Sequence, residues 1–239
     1  MGRKGRREVG RPRGSSKKPF AEGGRWAEIR SHLGGCAKEE LIGLLMKHAK
    51  IDGELEQELL AAVAKRSGQP LRLEPFMAAF DEAACWDDEF VGHEESFEYV
   101  SGVEKVVDRY EGLLKDGHAT AVMQLTEKAL ATMEGKMGSV NDSYGNVSGV
   151  MDRLQKLHHE ACQKAGPDPE ALARWIFDWK HCAEYGFLRD APKPYADVLG
   201  KEGLAIYVSL TVHPKDNSGC PCGHLKGTRW SRVIWPDDG

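Results

Sequence analysis

The chain has 239 residues, of which 41% are apolar and 29% charged, and its formal net charge is −4. This is the composition of a soluble globular protein with enough length to bury a sizeable core, and it excludes collagen-like and low-complexity classes. No run approaches the ~20 apolar residues that a bilayer-spanning helix needs. The six cysteines, at positions 36, 85, 162, 182, 220 and 222, show no disulfide-framework spacing, so a reduced, cytoplasmic setting is expected.

Residues 1–18 hold eight basic side chains, Arg3, Lys4, Arg6, Arg7, Arg11, Arg13, Lys17 and Lys18, against one acidic one. The resulting +7 leaves −11 on the remaining 221 residues. Residues 1–24 are rich in Gly, Arg, Lys, Ser and Pro and cannot bury enough apolar surface to offset their ordering entropy. A disordered basic arm is expected there, and with no apolar core following the charges a secretory signal is not. An arm this dense in Arg and Lys can neutralise phosphates with salt-sensitive affinity. Gly10-Arg-Pro-Arg-Gly14 resembles peptides that hook into an A·T-rich minor groove, while a solubilising tail is the plainer reading.

Trp26, Ile29 and Leu33 begin a short helical pattern that ends at Gly34-Gly35. From Lys38 the periodicity strengthens. Leu41, Ile42, Leu45, Met46 and Ala49 form one stripe, with Glu39 and Glu40 in the first turn, where they suit the helix dipole. After a turn at Ile51-Asp52-Gly53, Leu55, Leu59, Leu60 and Val63 form a second, so residues 38–63 read as a helical hairpin. Pro70 and Pro75 bound a linker, and Phe76, Phe80 and Ala84 mark a short third helix. Residues 86–95 read as a solvated acidic loop. Its Asp87, Asp88, Glu89, Glu94 and Glu95 lack the alternation and glycine of a calcium loop.

An echo at an offset of 44 residues follows. Val103, Val106, Val107, Asp108, Arg109, Tyr110 and Leu113 are matched by Val147, Val150, Met151, Asp152, Arg153, Leu154 and Leu157. In each set the apolar members fall on one face of a helix. The first of these helices should run from about Ser96 to Lys115 and stop at Asp116-Gly117, where glycine suits a left-handed position. Its partner uses Val122, Leu125, Ala129, Leu130 and Met133. After a Gly/Ser/Asn/Asp loop over 138–145, the second echo helix spans about Val147 to Lys164. Asp168-Pro169-Glu170 starts another, whose buried face is Leu172, Trp175, Ile176 and Trp179. A short helix near Tyr195–Leu199 and a last one over Lys201–Leu210 complete the pattern. The expected fold is all-α, with antiparallel hairpins stacked into an α-solenoid or TPR-like array. The expected division is a basic arm (1–24), N-terminal hairpins with the acidic loop (25–95), a helical-repeat region (96–212) and an irregular Cys/Trp tail (213–239).

The segments KEELIGLLMKHAKIDGELEQELL (38–60), VVDRYEGLLKDGHA (106–119), DRLQKLHHEACQKAGPDPEALA (152–173) and YADVLGKEGLAIY (195–207) carry a resemblance. Together they resemble the helical region found downstream of SWIM-type zinc fingers in bacterial proteins, where a basic, Arg-rich linker also precedes the helices. The resemblance implies a helical scaffold without assigned chemistry. The finger's own C-x-C…C-x-H ligands have no counterpart, since no Cys precedes Cys36. The chain is expected to be a shortened or frame-altered relative.

Three constellations bear on chemistry. Cys220-Pro-Cys222-Gly-His224, with His213, offers four zinc-ligand types, but structural zinc sites usually combine two separated ligand pairs. Its CPCG also resembles the start of a SEC-C motif, whose following Cys/His pair is missing. Ligand count favours a reduced cysteine pair, and no cofactor is expected. His158 and Cys162 share a helix face, which permits a metal pair, but a packed core cysteine beside a partly exposed histidine is the expected arrangement. Trp175, Trp179, His181 and Cys182 take the same reading, core packing with a partly exposed histidine and no metal pair. Phosphate-loop, dinucleotide, nucleophile-elbow and H-E-x-x-H patterns do not occur. The chain is thus expected to be a non-catalytic protein-interaction module on a helical-repeat scaffold. The alternative is a nucleic-acid-associated protein that binds DNA or RNA through its arm. Metal-assisted hydrolysis at the CPCGH tail is the only enzymatic sketch.

Overall fold

The structure is a computed structural model that describes residues 24–86, 90–185, 188 and 190–212. Among these, the backbone forms nine α-helices, two single 3₁₀ turns and one isolated β-bridge. The all-α reading holds. The chain divides into two compact units, Met1–Ile51 and Asp52–Gly239.

The first unit contributes α1 (Gly24–Gly35) and α2 (Lys38–Ala49). The Glu40 carboxylate reaches back to accept the Ala37 N–H at 2.9 Å, satisfying one of the donors that every helix start leaves unpaired. The stripes read from the sequence are there, but they are not buried. α1 has no buried residue and α2 has only Ala49.

In the second unit, α3 (Gly53–Ser67) begins where Asp52 accepts the N–H groups of Glu54 and Leu55, and it ends at Gly68 with φ 70°. The sequence placed Val63 on its buried stripe. The structure corrects this: Val63 is 60% exposed, and the buried positions are Gln57 and Ala64. α3 touches its neighbours along an edge, where Gln57 donates to the Pro75 carbonyl at 3.1 Å. α4 (Glu74–Ala83) buries Phe76 and Phe80 as expected.

The core lies between α5 (Glu95–Lys115), α6 (Ala119–Lys136) and α7 (Asn146–Ala165). Every apolar member of the 44-residue echo is buried. α6 runs against α7, α5 lies beside both, and α4 packs on α5 and α6. Tyr110 of α5 donates its hydroxyl to the Phe76 carbonyl at 3.0 Å and stacks on Phe80. Gly117 and Gly166, at φ 94° and 62°, close α5 and α7 in the left-handed conformation that suits glycine.

The loop before α5 departs from expectation. Val91 is 2% exposed and forms a parallel bridge with Val140, through Val91 N–H to Ser139 at 2.8 Å and Asn141 N–H to Val91 at 2.9 Å. One apolar side chain inside an acidic run is enough to pin this loop to the one before α7.

α8 (Pro169–Cys182) starts on the Asp168 cap, whose carboxylate accepts the Ala171 N–H at 2.8 Å. α9 (Ala196–Val212) packs on α8. The expected separation into two short helices appears as a break at Gly200, where φ 58° and ψ −165° fall in a region open essentially to glycine alone. None of the described helices is long and apolar enough to cross a membrane.

Candidate functional site

The densest group of reactive side chains lies where α6, α7, α8 and the turn before α9 meet. His158 and Cys162 are one turn apart on α7, and both are fully buried. The His158 Nδ1 is 2.7 Å from the Tyr195 hydroxyl, and its Nε2 is 3.5 Å from the Glu127 carboxylate. Cys162 Sγ lies 3.6 Å from Nε2, and the Trp175 ring covers the imidazole at 4.4 Å between centroids. The expectation that His158 is partly exposed is therefore corrected. The partly exposed histidine is its neighbour His159, whose side chain is 25% exposed.

A thiol, an imidazole and a carboxylate in contact are the parts of a nucleophilic triad, so burial decides what they do. Cys162 has no solvent-exposed surface, and desolvation, reinforced by the Glu127 charge, pushes its thiol far above the ordinary range. A cysteine attacks as thiolate. Here it stays a thiol out of reach of any substrate. Burial likewise keeps the Tyr195 hydroxyl protonated as a donor. The group is a satisfied polar bridge inside the core. Among the described residues, no set of three or more His, Cys, Asp or Glu has the geometry of a metal site.

A second arrangement links successive odd-numbered helices. Arg109 of α5 donates to Glu54 and Gln57 of α3 at 2.7 and 3.1 Å. Its echo partner, Arg153 of α7, donates to Glu111 at 2.8 Å and also to Asp108, both on α5. His159 and Gln163 of α7 meet Asp197 of α9 at 2.9 and 2.6 Å, which holds that carboxyl down to about 2. The Asp-Arg pair inside the echo was thus a structural signal: each arginine binds two acceptors three residues apart on the preceding odd helix.

Two surfaces remain open. On α1 and α2, Trp26, Ile29, Leu33, Ile42, Leu45 and Met46 are between 38% and 53% exposed. In the second unit, His93, Phe97 and Tyr144 form a ring cluster, with centroids 4.3 Å apart for His93–Tyr144 and 6.1 Å for Phe97–Tyr144. Phe97 and Tyr144 are more than half exposed. The first consists of stripe residues read from the sequence, whose exposure was not; the second was not singled out.

The residues singled out for nucleic-acid binding, Arg3, Lys4, Arg6, Arg7, Arg11, Arg13, Lys17 and Lys18, lie outside the described residues, as do Cys220, Cys222, His224 and His213. No family model matches this chain, and neither a curated protein nor a solved structure is similar to it.

Proposed function

We propose that this protein is a non-catalytic interaction module on a helical-repeat scaffold, acting in the cytoplasm, with the apolar faces of α1 and α2 as its principal contact surface for a protein partner. The observation that carries this reading is burial. Two twelve-residue helices with large apolar side chains keep a single residue, Ala49, out of solvent. Helices this short are marginal in water without a packed face, and an apolar patch of this kind marks an interaction site. The scaffold reading is an array of stacked hairpins, with α3, α5, α7 and α9 as the aligned helices. It is supported by the side-by-side packing of α5 and α7 and by the row of polar bridges between these helices. A relationship to the helical regions of SWIM-type zinc finger proteins belongs to the same proposal and rests on the helical pattern alone.

The test is a pull-down from cell extract with the full chain and an Ile42→Asp/Leu45→Asp variant. Binding lost in the variant but kept when residues 1–24 are deleted supports the proposal. Equal capture by chain and variant overturns it. The second reading, nucleic-acid association, is favoured by the eight basic residues in 1–18. It requires DNA or RNA binding that weakens steeply with salt and is lost on the same deletion.

A further inference from the structure

On α2, Leu41, Leu44, Leu45 and His48 recur at the spacing of a coiled-coil seam and share one face of the helix. Leu44 and Leu45 are 47% and 49% exposed, and His48 is exposed as well. Glu40 and Lys47, seven residues apart, lie on the same flank of that face, one towards each end. The other flank carries Lys38, Ile42 and Ala49 and holds no acidic side chain. Lys47 makes no ion pair or side-chain hydrogen bond with another described residue, and Glu40 holds only the Ala37 N–H.

Such a face complements itself when two copies run antiparallel. In an antiparallel helix pair each flank meets its own counterpart, so Glu40 of one copy stands beside Lys47 of the other, and the two-fold axis repeats the contact. Leu44 and Leu45 then meet at the axis, and Leu41 meets His48. A parallel pair sets the flank of Glu40 and Lys47 against that of Lys38, Ile42 and Ala49, where Lys47 finds no acidic partner. Resting on the reading of α1 and α2 as a contact surface, we propose that this face of α2 is covered by α2 of a second copy of the chain, antiparallel about an axis at Leu44.

Twelve residues make a helix about 18 Å long. Two such helices side by side bury less than the ~800 Å² per partner of a standard stable interface. Association is therefore in the micromolar range or weaker, and it gives a helix that is marginal on its own a packed face.

Sedimentation of the full chain between about 1 and 300 μM reads this pairing, and the native chain should pass from monomer to dimer over that range. An exposed ion pair shifts association by roughly 1.4- to fivefold, and the axis makes each pair count twice. Lys47→Glu turns both attractions into repulsions and should weaken the dimer by about tenfold or more. Glu40→Gln keeps a capping side chain at that position and removes the charge. Alone it should weaken the dimer by roughly threefold; added to Lys47→Glu it should strengthen it by roughly as much, because there it relieves a repulsion. A Leu44→Cys variant with native charges gives a second readout: mild oxidation should link two copies through position 44 several-fold faster than through Ile42→Cys on the flank. A native chain that stays monomeric at the highest concentration overturns the pairing, as do equal linkage at positions 42 and 44 or a Glu40→Gln effect of the same sign in both backgrounds. If a monomeric chain still loses an extract partner on Ile42→Asp/Leu45→Asp, self-pairing falls and the contact-surface reading stands. A monomer whose capture is also unaffected by that variant removes both.

Discussion

Replacing Tyr195 with Phe isolates the polar bridge in the core. The ring is fully buried and its hydroxyl has two partners, His158 Nδ1 at 2.7 Å and the Gln155 carbonyl at 3.4 Å. Removing that oxygen leaves the buried His158 Nδ1 with only the Cys162 sulfur, a weak partner 3.9 Å away. An orphaned buried polar group costs about 1–3 kcal/mol, more than the net worth of the bond itself. At this size that corresponds to a fall in Tm of about 2–4 °C per kcal/mol. The His158→Phe variant removes the other partner, leaves the hydroxyl only its long bond to the Gln155 carbonyl and leaves Glu127 without its contact, for a similar loss. The double variant removes both poorly paired groups together. It should therefore be less destabilised than the two losses summed, by at least ~1 kcal/mol. Urea unfolding followed by circular dichroism measures all four species, with an unchanged slope showing that the unfolded reference is the same. A Tyr195→Phe variant as stable as the parent, or losses that add within ~0.5 kcal/mol, would refute the bridge.

Further outcomes follow from the same geometry. Leu154→Ala, at a position with no exposure in the middle of α7, should cost about 2–5 kcal/mol in the same assay. Arg153→Ala should cost far less, about 1 kcal/mol or below, because Asp108 is 65% exposed; a larger loss would mean that the bridges between odd helices hold more than surface pairs do. Glu134 accepts the Tyr185 N–H at 2.9 Å while burial pushes its carboxyl above the ordinary glutamate range. A raised carboxyl stabilises the fold below its unfolded value and withdraws that stability as pH rises through the folded one. Glu134→Gln should accordingly flatten the decline in urea midpoint as pH rises past the ordinary glutamate range, and a parallel pH profile would remove Glu134 as its cause. In native protein a disulfide reagent at mild alkaline pH should label exposed Cys85 and leave Cys162 untouched; rapid labelling of Cys162 would contradict its burial.

The helices were legible in the sequence because their stripes are long and their ends are punctuated. Gly117, Gly166, Asp168 and Gly200 each stand where the backbone turns, and local chemistry alone dictates those positions. His158 was also within reach. It lies four residues after Leu154 and three before Ala161, on the buried stripe, so its burial follows from spacing. Its partners do not. Glu127 and Tyr195 are 31 and 37 residues away, and only the packing of α6, α7 and the turn before α9 joins them. The Val91–Val140 bridge was hidden for the same reason, because a single-residue pairing leaves no periodicity to read. The exposure of α1 and α2 was hidden by the opposite effect. An amphipathic stripe announces that a face is to be covered, without saying by what.

That incomplete burial bears on how an encounter would proceed. With only Ala49 sheltered, the backbone amides of α1 and α2 depend on the helices' own hydrogen bonds for protection from hydrogen exchange. A partner that covers the apolar face supplies the missing stabilisation at the moment of contact, so part of its gross interaction energy goes into ordering the helices. The complex would then be weaker than its area suggests and would bind with a marked negative heat-capacity change. Exchange rates over residues 24–51 become a gauge of occupancy, slowing in proportion to the bound fraction while the amides of α5 to α7 remain as they were.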